Sequence, residues 1–192
     1  MRKPPYIAVI DTETNWYDQV MSIGIVLADR LSYAPVEQRY YVLTPEDLVG
    51  GMYDDRMALT DDSPAYRGSR ERVLGHIAGW LSARGVEEIF AYNARFDCTH
   101  LPELGGLTWY DIMRVAAYRQ YNPFIPDWAD CCKTGRLKRS YGVEPMLRML
   151  TGDSSYCETH NALYDAVDEL QIMRLLRLGV EAYDCAKVCN QV

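Results

Sequence analysis

The sequence predicts an α/β domain with a mixed sheet, and three patterns predict it. Residues 5–10 (PYIAVI) form a short, continuous, β-branched apolar run, the mark of a central strand covered on both faces. Residues 21–28 (MSIGIVLA) and 37–43 (EQRYYVL) are further strand patterns separated by turn material at 29–35, which suggests an antiparallel meander. Residues 69–83 then place Val73, Leu74, Ile77, Trp80 and Leu81 at helical spacing, and residues 88–92 (EIFAY) read as a buried strand after them, a βαβ element.

One domain accounts for the whole chain, 1–192. At 22.0 kDa and 48% hydrophobic, a chain of this size buries roughly 70% of the surface its unfolded form exposes, so its core needs neither disulfides nor a structural metal. No run approaches the roughly 18 apolar residues of a membrane span. The opening MRKPP leaves only residues 6–10 as an apolar stretch, so no secretory signal is expected. The formal charge of −7 argues against a protein that coats nucleic acid through many phosphate contacts, but not against metal-mediated phosphate chemistry. None of the six cysteines makes a Cys-x-x-Cys pair or a Cys/His zinc spacing, so they read as reduced thiols of a cytoplasmic chain. Cys185 and Cys189, four apart, fit one face of a last helical turn.

The remaining elements follow in order. Residues 44–69 break up at Gly50-Gly51, Asp54-Asp55 and Asp61-Asp62-Ser63-Pro64, so a long loop with a helical turn is expected, and loops that long are often functional. A helix starts near Asn93, a short strand fits 107–110, and 112–118 has a helical pattern. Residues 119–139 carry Pro123, Pro126, Tyr121, Phe124 and Trp128 with Lys133, Arg136, Lys138 and Arg139, and no element is legible there. Helices are expected at 143–150 and 161–178, the second with Leu163, Ala166, Val167, Leu170 and Met173 along one stripe and Gly179 as its stop.

Three clusters carry chemistry. Asp11 and Glu13, two apart where the central strand runs out, point to the same side of an extended chain. Carboxyl ends of strands in open α/β sheets are where ligands bind, and carboxylate oxygens suit hard cations; taken alone, the pair reads first as a solvated acidic turn. Asp97 falls in the first turn of the next helix, where an acid also serves the helix dipole, worth ~0.3–1 kcal/mol. His160 stands in the approach to the last long helix with Asp165 about one turn inside it, and small Ala162 and Ala166 allow that turn to lie close to the sheet. His76 reads as a partly exposed helical residue and His100 as surface.

DTET (11–14), NARFD (93–97) and HNALYDA (160–166) resemble the three motifs of the DEDDh-type 3′-5′ exonucleases of the DnaQ-like (ribonuclease H-like) superfamily. MSIGIVLAD, WYDIMRVAAY and LKRSYGVEPMLRMLTG resemble the family's second strand, the stretch after the second motif and the helix before the third, so the match spans most of the chain. The resemblance implies a ribonuclease H-like fold, a five-stranded mixed sheet (antiparallel meander plus parallel strands) flanked by helices on both sides. It implies two divalent ions, Mg²⁺ or Mn²⁺, held by Asp11, Glu13, Asp97 and Asp165, with His160 as general base, a task neutral imidazole performs at physiological pH. The sister group uses tyrosine where this chain carries His160, with four residues between it and Asp165; Tyr164 directly precedes the aspartate and does not hold that place.

The activity implied is hydrolysis from the 3′ end of single-stranded DNA or RNA, releasing 5′-mononucleotides. Substrate contacts fall on Thr12, Thr14, Trp16, Tyr17, Asn93 and Phe96. Trp16 and Tyr17 either stack on bases or pack under the following strand, and Asn93 either orders the site or caps its helix. Arg136, Lys138 and Arg139, with Tyr141 and Trp128, either guide a strand or form a solvated face. Asn15 and Trp16 stand where relatives often carry Thr or Gly, which leaves sugar and base preference open. The rival readings are an exoribonuclease for short RNA oligonucleotides or RNA 3′ ends, a non-catalytic nucleic-acid-binding or polymerase-associated subunit, and a two-metal phosphatase for small molecules. No membrane partner is expected. Related small exonucleases often pair, so a homodimer is open.

Overall fold

The computed structural model describes residues 4–58 and 65–188. The acidic run at 61–64, the first three residues and Cys189, all used in the sequence reading, lie outside the described residues. Strand β1 (Tyr6–Thr14) forms the middle of the sheet, with β2 (Val20–Asp29) and β3 (Pro35–Leu43) completing the expected antiparallel meander on one side. On its other side β5 (Glu88–Ala91) and β6 (Thr108–Asp111) run parallel to it.

Among the described residues the sheet has seven strands, not the five expected. Two short strands supply the edges. Strand β4 (Ala65–Gly68) pairs parallel with β3, and β7 (Lys187–Val188) pairs antiparallel with β6, giving the order β4-β3-β2-β1-β5-β6-β7. Four residues of AYRG and two of KV are too few to show a period, so pairing with a formed neighbour, not local pattern, makes them strands.

The period-2 alternation of β1 divides the core. Ile7 and Val9 face one layer, packed with α4 (Val143–Thr151) and α5 (Ala162–Leu176); Ala8 and Ile10 face the other, covered by Val73, Leu74, Ile77, Trp80 and Leu81 of α1 (Arg70–Ala83). Helices therefore lie on both faces, as expected. Two short helices, α2 (Arg95–His100) and α3 (Met113–Ala116), follow β5 and β6. No helix among the described residues is long and apolar enough to cross a membrane.

Helix α5 lies on the sheet more closely than small alanines alone explain. A Cβ built at Gly24 of β2 would stand 2.0 Å from the Ala162 carbonyl oxygen, so only glycine permits the contact. Gly24→Ala must therefore push the start of α5 outward. We expect a loss of roughly 1–3 kcal/mol or more, as for overpacked cores, read as a drop in thermal midpoint.

Several boundaries differ from the sequence reading. Helix α5 ends at Leu176, where Arg177 turns left-handed at φ 55°; Gly179 instead precedes a 3₁₀ turn, Val180–Ala186, which holds Cys185. The loop after β3 contains two 3₁₀ turns, Glu46–Val49 and Asp54–Arg56, before β4. Residues 119–139 are organised by Arg119, whose guanidinium donates to the carbonyls of Pro126, Asp127 and Ala129 at 3.0–3.3 Å, and by buried Asn122, whose Nδ2 donates to the Ala116 carbonyl at 2.7 Å. Lys138 and Arg139 pair with Asp130 at 2.8 and 3.9 Å, and Arg136 lies over the Tyr141 ring, so this basic cluster is largely engaged within its own loop. No disulfide forms among the described cysteines.

Candidate active site

Strand β1 runs past its expected end at Ile10 to Thr14. Asp11, Thr12 and Glu13 remain paired with Gly24, Ile23 and Ser22 of β2, whereas the parallel register with β5 covers Ala8 and Val9. The acids therefore stand at the carboxyl ends of two parallel strands, where open sheets leave a crevice. Alternation sends Asp11 and Glu13 toward α5 and Thr12 toward the opposite face. There the Thr12 hydroxyl donates to Asp97 Oδ1 at 2.8 Å, fixing the carboxylate that α2 brings from the end of β5.

Helix α5 supplies the opposing wall. Asn161 caps it, its Oδ1 accepting from the Leu163 N–H at 3.1 Å, which sets the first turn so that Asp165 faces β1. Ligand oxygens of Asp11, Glu13 and Asp165 lie within 4.8 Å of one another. His160 precedes the cap in a left-handed conformation at φ 57°, and its ring stacks on Tyr53 with centroids 4.1 Å apart and planes at 12°. A second set, Glu158, His160 and Asp165, also meets within 4.8 Å.

The electrostatics are those of crowded acids. Burial first, then Glu169, Asp97, Asp165 and Glu13, hold the Asp11 carboxyl well above its usual range. Burial, Glu158 and Asp97 push Glu13 up to about 8. Asp165 is pushed up to about 8 by burial, Glu158, Glu13 and Asp168, against a lowering backbone hydrogen bond from His160. Asp97, only 2% exposed, rises to about 7 through burial, with the Thr12 hydroxyl pulling it down. A divalent cation would relieve this repulsion, and the donors suit one: hard carboxylate oxygens, with Asp165 Oδ1 buried and without a hydrogen-bond partner among the described residues.

Most of the other sequence candidates lie on the segments that follow β1 and β5. Trp16 and Tyr17 are 65% and 75% exposed, so neither packs beneath β2. Their turn is built by buried Asn15, whose Oδ1 accepts from the N–H groups of Tyr17 and Gln19 at 2.9 and 3.1 Å while its Nδ2 donates to the Glu46 carbonyl. Thr14 is half-buried at the end of β1. Phe96 is partly exposed on α2, its ring 4.2 Å from that of His100. Asn93 does not cap α2, whose start carries no side-chain cap; it sits at φ 63° with its N–H donated to Asp111 Oδ1 at 2.9 Å. His100 is more than a surface residue, since Nε2 meets Asp18 Oδ1 at 3.1 Å and Nδ1 meets the Phe96 carbonyl at 2.9 Å. His76 is exposed on α1 against Tyr66.

Sequence reasoning missed Glu158, Glu169 and Tyr53. Glu169 is 2% exposed, and burial together with Asp97 holds its carboxyl well above the usual range. Its signal was available, because residues four apart on a helix share a face and Asp165 and Glu169 are such a pair. Tyr53 gave no signal, since only the folded loop carries it to His160.

The fold so built is shared with solved exonucleases, one of them described as a DEDDh family member. No family model matches the chain, and no curated protein does. Among solved structures it is similar to Exonuclease X in complex with 5′-overhanging duplex DNA, with 21% identity, 88% of this chain and 90% of that one covered, and a TM-score of 0.54. It is also similar to the nuclease domain of 3′hExo, a DEDDh family member bound to rAMP, at 14% identity, 88% and 90% coverage and a TM-score of 0.61. A 3′-exonuclease in 3′-end-specific recognition of a histone mRNA stem-loop gives 14% identity, 98% and 72% coverage and a TM-score of 0.64.

Proposed function

We propose that this chain is a metal-dependent 3′-5′ exonuclease that hydrolyses phosphodiester bonds from the 3′ end of single-stranded DNA or RNA and releases 5′-mononucleotides. The observation that carries the reading is the meeting of Asp11, Glu13 and Asp165 at one rim of the sheet, with Asp97 and His160 beside them. Asp11, Glu13, Asp97 and Asp165 would hold two divalent ions, Mg²⁺ or Mn²⁺, which when bound neutralise the phosphodiester and make water more acidic. His160 accepts the proton of the attacking water at a ring nitrogen. Tyr53, stacked on the imidazole, restricts its rotation, and Thr12 keeps the Asp97 carboxylate aimed at the rim.

The strand end is gripped by the exposed aromatics. Trp16 and Tyr17, exposed just beyond the end of β1, and Phe96, next to Asp97 on α2, would offer ring faces to the bases, with Thr14 and Asn93 as further contacts; base stacking is worth ~1–3 kcal/mol per base and accepts any sequence. Trp16→Ala is expected to raise KM by roughly ten- to a hundredfold with little change in kcat, on that stacking scale. An unchanged KM in steady-state digestion of a short single strand would remove Trp16 from the grip.

A second reading, an exoribonuclease for RNA 3′ ends, gains support from two of the similar structures, one bound to rAMP and one recognising an mRNA stem-loop. Matched 3′- and 5′-labelled single-stranded DNA and RNA, digested with Mg²⁺, Mn²⁺ or a chelator, test both readings. Mononucleotide release from the 3′ end that stops with chelator is the expected result, and the faster sugar chooses between DNA and RNA. Preference for free nucleotides over oligomers, or no digestion with either metal, would overturn the nuclease reading.

A further inference from the structure

We infer that Glu158, His160 and Asp165 form a second cation site, sharing Asp165 with the first, that takes a transition-metal ion such as Zn²⁺ and, when filled, silences the base. The three donor atoms lie within 4.8 Å of one another. A tetrahedral ion with bonds of ~2.0–2.2 Å holds its donors roughly 3.4 Å apart, so small side-chain rotations close the set. Asp165, common to both donor sets, is 4% exposed, and its Oδ1 is a buried acceptor with no hydrogen-bond partner among the described residues.

The other two ligands are held in place. The Glu158 N–H donates to Glu144 Oε2 at 3.0 Å, and the Tyr156 carbonyl accepts from Arg148 Nε at 2.8 Å, so the loop before His160 is tied to α4 at two points. Glu144 and Arg148 are themselves paired at 2.9 Å. Tyr53 covers a face of the imidazole, whereas a nitrogen donates to a metal in the plane of the ring, so the stack steadies the ligand without blocking it.

Ligand chemistry separates this site from its neighbour. An imidazole with two carboxylates favours zinc and similar ions, whereas the all-oxygen set of Asp11, Glu13 and Asp165 suits Mg²⁺ or Mn²⁺. The two sets share Asp165, so filling one alters the other. The consequence, though not the site, rests on the proposed exonuclease reading: an imidazole lone pair given to a metal cannot accept a proton from water, so zinc would inhibit while magnesium supports.

Titration of ¹⁵N-histidine-labelled protein with Zn²⁺ tests the site directly. The His160 ring nitrogen is expected to move to a metal-coordinated shift in the wild type and in Asp11→Ala, and Glu158→Gln should need at least tenfold more Zn²⁺. Mg²⁺ should leave the ring uncoordinated. A His160 signal unmoved by Zn²⁺, or equal affinity in wild type and Glu158→Gln, would overturn the site. In Mg²⁺-supported digestion, the inhibitory Zn²⁺ concentration should rise at least tenfold in Glu158→Gln, and equal sensitivity would overturn the inhibition. If no digestion occurs with any metal, the nuclease reading fails and the nitrogen shifts still decide the site.

Discussion

Asp165→Asn is expected to raise the melting temperature of the metal-free protein at pH 8 and to abolish its nuclease activity. Both effects come from one crowded cluster. Burial and neighbouring acids push Asp165 and Glu13 up to about 8 and Asp97 up to about 7 in the folded chain, whereas unfolded carboxylates titrate near ~4. Between those values the native state retains protons that the unfolded state has released. These groups therefore contribute stability in full below about pH 4, and it is lost as pH rises toward 8. With chelator present, the wild type should melt at a higher temperature at pH 5 than at pH 8, and Mn²⁺ should reverse the loss at pH 8.

The amide introduced by Asp165→Asn keeps the shape without a charge to desolvate, so a gain on the order of 5 °C is expected at pH 8. Activity should fall by roughly a thousandfold or more, because an electrostatic contribution to the transition state is removed. Thermal melts at the two pH values beside metal-dependent digestion check the pair. A pH-independent melt in chelator would show that the acids do not repel, and comparable turnover by a folded Asp165→Asn protein would remove this side chain from the reaction.

His160→Ala should lower kcat by ~10²–10⁴-fold, the range of a positioned general base. It should leave Mn²⁺ binding at Asp11, Glu13 and Asp165 intact, since the imidazole belongs to the other donor set. Retention of a labelled single strand by the mutant, with cleavage lost, separates a role in proton transfer from one in binding. An unchanged rate would assign the base elsewhere.

The resemblance rested on residues whose spacing survives folding. Asp97, His160 and Asp165 occupy the elements expected of them, and Asp11 and Glu13 keep their common face on a strand that runs on to Thr14, because strand alternation and helical phase are local properties. What escaped the sequence was set at long range. Gly24 matters only because α5 crosses it, and Tyr53 only because the loop holding it reaches His160; Asn161 links the two, its Nδ2 donating to the Arg56 carbonyl at 2.7 Å. The edge strands β4 and β7 are too short to carry a period of their own. The aromatic and basic segment at 119–139 was opaque because carbonyls, which no side-chain pattern reports, are what Arg119 binds.

Adjacent residues of β1 serve opposite faces, with Thr12 gripping the helix after β5 while its two neighbours meet the helix behind the sheet. Mutational libraries in this stretch should therefore conserve chain length above identity: an insertion or deletion of one residue between Ile10 and Thr14 inverts which side each group serves, whereas many single replacements disturb only their own position.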